Sequence, residues 1–88
     1  MNVSGVVQGV GFRWWCMRTA DEYNLPGYVA NLPDGSVEIE VEGDKGLIED
    51  FIKAVRVGPT YAHVTDLKLD WNEQPKGYED FDIRHAGW

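Results

Sequence analysis

Short apolar runs alternate along the chain with breaks marked by glycine and proline. Val3 to Gln8 is a brief, glycine-containing apolar run and predicts a strand that feeds a glycine loop. The spacing then becomes helical. Cys16, Thr19, Ala20 and Tyr23 fall at i, i+3, i+4 and i+7, and Phe12 and Trp15 extend the stripe, which predicts a helix over Phe12–Asn24. Asn24, Pro26 and Gly27 end it. Tyr28–Leu32 reads as a second strand and Pro33-Asp34-Gly35 as a turn. Val37, Ile39 and Val41 alternate with Glu38, Glu40 and Glu42, the pattern of a strand with one wet face. After Gly43-Asp44, Leu47, Phe51 and Val55 align with Ile48 and Ile52 on a second helix, which Gly58-Pro59 stops. Val64–Trp71 predicts a fourth strand with Leu67, Leu69 and Trp71 inward. Asp80–Arg84 predicts a short fifth around Phe81 and Ile83.

The order β-α-β-β-α-β, with one edge strand near the end, has an economical solution. Two helices cover one face of an antiparallel sheet, giving a ferredoxin-like α+β sandwich formed as a single domain over residues 1–88. Glu38, Glu40 and Glu42 would then lie on the open face. At 43% hydrophobic and 12% aromatic residues the chain can bury a core, which excludes disorder as its main state. No apolar run approaches the ~20 residues of a membrane span, and no basic stretch leads into an apolar leader. One cysteine, Cys16, excludes an internal disulfide, and Cys-x-x-Cys and His-x-x-His spacings are absent. A cytoplasmic monomer is the expectation.

Charge changes the picture by position. Lys and Arg number 8 against 15 Asp and Glu, a net of −7 that suits no nucleic-acid backbone. Arg13 and Arg18 precede the first acid, Asp21, so the first 20 residues carry +2 and the remaining 68 carry −9. An anion is tolerated only near the N-terminal fifth.

That fifth holds the one segment that does not read as plain packing, Gln8-Gly9-Val10-Gly11-Phe12-Arg13. Its glycines permit a tight turn with N–H groups near a ligand, and the helix that follows adds the positive end of its dipole. Arg13, in the first turn, adds a fork for a phosphate or carboxylate. The bland alternative is a loop whose glycines merely serve the turn and whose arginine is solvated; Gly-x-Gly alone does not separate the two. Elsewhere the supply is poor. His63 reads as a strand-end surface residue, His85 as incidental to a terminus and Cys16 as a buried thiol on an apolar stripe. Glu38, Glu40 and Glu42 lack histidine companions for a metal site.

The stretch from Val3 through Arg13 fits V-x-G-x-V-Q-G-V-G-F-R and resembles the signature of the acylphosphatase family. Gly27-Tyr28-Val29-Ala30-Asn31 with the following Leu32–Glu38, then Gly58–Val64, then Phe81–Arg84, extend the resemblance over essentially the whole chain. It implies the ferredoxin-like fold independently of periodicity. It implies that Arg13 and Asn31 are the catalytic arginine and asparagine and that the Gln8–Arg13 loop holds phosphate; with Arg13 and the loop in the role Mg²⁺ plays elsewhere, no metal or other cofactor is expected. The implied substrate is a small-molecule acyl phosphate, with inorganic phosphate or sulfate as a competing anion. Three features depart from the pattern. Only Met1 and Asn2 precede Val3, where the family has a longer first strand. Tyr28 and Ala30 stand where it often has Trp and a basic residue. The tail His85–Trp88 runs past the usual end.

The chemistry is consistent with that set. An acyl phosphate leaves as a carboxylate, already a stable anion, so no general acid is required. The needs are charge neutralisation at the phosphoryl oxygens, by the loop and Arg13, and a water held in line with phosphorus, by Asn31. Two other readings stand beside it. One is a non-catalytic phosphate- or anion-binding module like the acylphosphatase-like domain of hydrogenase maturation factors, for which a water-positioning Asn31 would be superfluous. The other is an RNA-recognition domain, which shares the element order but needs aromatics and cations where Glu38, Glu40 and Glu42 lie.

Overall fold

Strand β1 (Asn2–Val6) runs into the glycine loop and helix α1 (Phe12–Glu22), followed by β2 (Gly27–Asn31), β3 (Val37–Val41), α2 (Lys45–Val57), β4 (His63–Lys68) and β5 (Phe81–Arg84). The computed structural model describes residues 1–71 and 75–84. The strands form one sheet in the order β4-β1-β3-β2-β5. The β1–β3, β1–β4 and β2–β3 ladders are antiparallel, whereas β5 joins β2 in parallel, so the sheet is mixed at that edge. A terminal strand takes whichever edge is free, and its direction is set by the crossover that brings it there.

Alternation along the strands directs Val3, Val29, Val37 and Ile39 to one side, where all four are fully buried. Helix α1 closes over them with Phe12, Cys16 and Ala20, and α2 with Phe51, Ile52 and Val55. Thr19 shares the buried stripe of α1 because its hydroxyl donates to the Trp15 carbonyl at 2.8 Å. Helix α2 starts where Asp44 accepts from the N–H groups of Gly46 and Leu47, at 2.9 and 3.3 Å. Leu47, expected on the apolar stripe, sits in that first turn and stays 38% exposed. Burial pushes the Cys16 thiol up, which keeps it protonated and inert.

The fourth strand is shorter than its alternation suggests. Leu67 is buried, but Leu69 and Trp71 lie past the strand end at 42% and 50% exposure. The β1–β4 ladder ends at Asn2 opposite Lys68, so among the described residues the apolar side chains beyond it have no strand to pair with. The tail His85–Trp88 lies outside the described residues.

Candidate active site

The loop between β1 and α1 is shaped by its glycines. Gly9 and Gly11 both hold left-handed backbone, at φ 75° and 76°. A Cβ at either would meet nothing within 4 Å, so backbone conformation and not crowding demands glycine there. The result is a row of donors without acceptors. The first bond of the helix runs from the Trp15 N–H to the Gly11 carbonyl at 3.0 Å, and among the described residues the N–H groups from Gly9 to Trp14 find no backbone partner. Gly11 caps α1 without a side chain, and no acid occupies its first turn. The positive end of the helix dipole is left uncompensated.

These groups border a hollow of about 380 Å³, lined from the loop by Gly9, Gly11, Phe12 and Arg13. Asn31, the last residue of β2, enters from the other side. Val7, Trp14 and Ile83 complete the wall, and Arg13 is its one charged residue among the described residues. The Oδ1 of Asn31 is buried and accepts no hydrogen bond among the described residues. A buried acceptor without a partner is costly in a finished core, and at the wall of a hollow it is available to a water.

Not every residue expected at this site points into it. Gln8 turns away: its Nε2 donates to the carbonyls of Leu32 and Ser36, both at 2.9 Å, which uses its two N–H bonds. Only its backbone remains for a ligand. Val10 does not line the hollow, and the Phe12 ring is core, 5.6 Å from Trp15 between centroids. The walls Trp14 and Ile83 were missed by sequence reasoning. Trp14 falls off the helical stripe and is half exposed, with the Arg18 guanidinium 4.8 Å from its ring, and that displacement was the available signal. His63 is exposed and Cys16 fully buried, and neither reaches the hollow.

The turn after Asn31 is held independently. The Asp34 carboxylate accepts from the Ser36 hydroxyl and N–H, and these bonds hold its carboxyl below the usual carboxylate range. A larger depression of about 1100 Å³ includes the open face of the sheet and receives no residue of the Gln8–Arg13 loop. Its glutamates are engaged: Glu38 accepts from the Tyr28 hydroxyl, Glu40 pairs with Lys76 at 2.7 Å, and Glu42 accepts from the N–H groups of Lys76 and Tyr78. Burial raises Glu40, but its bonds to Lys76 and Tyr78 outweigh that and keep the carboxyl low. The wet-face reading of these glutamates holds, with the charge of Glu40 paired by Lys76 and the other two hydrogen-bonded.

Fold and hollow together define a ferredoxin-like α+β sandwich with an N–H-lined loop where its first strand meets its first helix. The acylphosphatase family model matches residues 1–83. An acylphosphatase of Chlorobaculum tepidum is 43% identical over 92% of this chain and 88% of its own length. The crystal structure of acylphosphatase from Bacillus subtilis superposes with a TM-score of 0.92 at 38% identity, covering 94% of this chain and 92% of that one. The chain therefore belongs to the acylphosphatase family, and it is a hydrolase of small-molecule acyl phosphates. HypF from T. kodakarensis also superposes, at a TM-score of 0.80 and 37% identity over 98% of this chain, yet the match spans only 12% of HypF. The reading as a module of that kind is accordingly the less supported one. No helix among the described residues is long and apolar enough to cross a membrane.

Proposed function

We propose that hydrolysis takes place in the hollow between Arg13 and Asn31. The phosphoryl group sits against the N–H groups of Gly9–Arg13, and the Arg13 guanidinium neutralises its oxygens. A water held by the Asn31 amide attacks phosphorus opposite the carboxylate, and its protons remain on the phosphate product, which forms as dihydrogen phosphate. The phosphorus–oxygen bond to the acyl group breaks, its electron pair leaves with the carboxylate, and phosphate keeps the water's oxygen. The loop and Arg13 fill the charge-neutralising role that a metal ion plays in many phosphoryl-transfer enzymes. One observation carries this reading: Arg13 and Asn31, on separate segments, border the same hollow, and the Asn31 oxygen there has no partner among the described residues.

On this reading the chain works as one unit over residues 1–88, as a cytoplasmic monomer with no nucleic-acid partner. The net charge of −7 and the single buried thiol support that. Inorganic phosphate or sulfate would occupy the phosphoryl position.

Turnover of an aryl acyl phosphate is expected to persist unchanged in a strong chelator. Loss of turnover on chelation, restored by a divalent cation, would overturn the metal-free mechanism. Inorganic phosphate is expected to inhibit competitively and to stabilise the fold, by roughly 1.4 kcal/mol at ~10 times its dissociation constant. A thermal midpoint that ignores phosphate, against chloride at matched ionic strength, would remove the loop as the site.

A further inference from the structure

The phosphate loop and Asn31 come from separate segments, and their relative placement needs a tie. The Gln8 side chain supplies one. Its amide reaches the Leu32 and Ser36 carbonyls, at the two ends of the turn that begins directly after Asn31. Each of those oxygens already accepts a backbone N–H: Leu32 from Gly35 at 3.1 Å and Ser36 from Leu32 at 2.9 Å. Gln8 therefore fills the second lone pair of both and closes the loop onto a turn that Asp34 has already braced through Ser36. The bridge spans 24 and 28 residues of sequence, so it fixes a distance that no local preference sets.

We propose that Gln8 is a positioning residue for hydrolysis, holding the Gly9–Arg13 cradle and the Asn31 amide in register across the hollow. This rests on the mechanism above, because it acts through Asn31. Gln8 touches neither the phosphoryl group nor the water. The cradle's N–H groups are arranged by Gly9 and Gly11, so phosphate can be bound without Gln8. In-line attack is more demanding, because a displacement of about 1 Å between water and phosphorus is enough to cost ~10²-fold in rate.

The test is a double-mutant cycle of Gln8→Met, which keeps the length and removes both donors, with Asn31→Ala. It reads kcat per folded molecule, phosphate affinity and thermal midpoint. Gln8→Met alone is expected to lower kcat by ~10- to 100-fold while phosphate affinity changes less than about threefold. In the Asn31→Ala background the same change should cost less than about twofold, because the group it positions is gone. Equal losses in both backgrounds, or a fall in midpoint with kcat unchanged, overturn the proposal. If Asn31→Ala by itself leaves kcat intact, the mechanism fails first and takes this role with it. A large Asn31 effect with an additive Gln8 loss sinks the Gln8 role alone. Gln8→Glu gives a second reading should the Met variant fold poorly. Its carboxylate opposes two carbonyl oxygens at neutral pH and gains a donor on protonation. Its kcat relative to the unaltered chain should rise as pH falls through the carboxyl pKa, and a flat ratio would contradict the bridge.

Discussion

Arg13→Gln is expected to lower kcat/KM by ~10³-fold or more and to weaken phosphate binding with it, while the protein stays folded. Among the described residues, Arg13 is the one charged residue on the wall of the hollow. Arg18, the other cation of the first 20 residues, lies over the Trp14 ring and does not border it. Removing Arg13 leaves the cradle N–H groups to face a dianionic phosphoryl group on a chain whose remaining residues are strongly acidic. On the proposed mechanism the guanidinium acts on bound substrate and on the transition state alike, so both affinity and rate should fall. Arg13→Lys should recover little, since a point charge cannot reproduce a planar fork on two phosphoryl oxygens. The side chain is half-buried and makes no hydrogen bond or ion pair among the described residues, so little folding stability depends on it. Kinetics, phosphate titration and a thermal melt on the same preparations decide the matter. Retained turnover in folded Arg13→Gln would exclude Arg13 from the mechanism.

Asn31→Ala should separate rate from affinity. The amide is expected to orient water and not phosphate, so kcat should drop ~10²–10³-fold, about 3–4 kcal/mol of barrier, with phosphate affinity nearly unchanged. The stability readout distinguishes this from a role in the turn. Had the side chain braced the β2–β3 connection, its oxygen would carry a hydrogen bond, and truncation would break one. Instead Oδ1 is buried without a partner among the described residues, so truncation removes an unsatisfied acceptor and the melting midpoint should move little. The bracing belongs to Asp34 and Gln8, which bond to Ser36 and Leu32. A folded Asn31→Ala protein with full kcat would show that the unpartnered oxygen serves something other than water.

The element order was legible because periodicity and punctuation are local. A 3.6-residue stripe ending at Pro26, or a period-2 run of Val37, Ile39 and Val41, carries its assignment within a few residues. The loop was legible for the same reason. Gly9 and Gly11 make the tight turn that their spacing suggested, through left-handed backbone, and no acid precedes the helix they open. Even the glutamates of β3 could be read, since alternation separates a wet face from a buried one.

Other features depended on partners distant in sequence. Leu69 and Trp71 keep the alternation of a strand, but a strand exists only where another runs beside it, and the ladder from β1 ends at Lys68. The parallel seat of β5 on β2 follows from which edge was open. Gln8 lies inside the loop signature, so sequence placed it with the phosphate ligands; its side chain turns to the carbonyls beyond Asn31 because those acceptors come within 2.9 Å only after β1 and β2 have settled on either side of β3. The amino-acid sequence by itself determined the fold class, the order of its elements and the glycine loop, because each follows from preferences that act over a few residues. Tertiary structure alone decided that Arg13 and Asn31 share a hollow and that Gln8 ties its two sides together, because side-chain direction and register are set by long-range strand pairing.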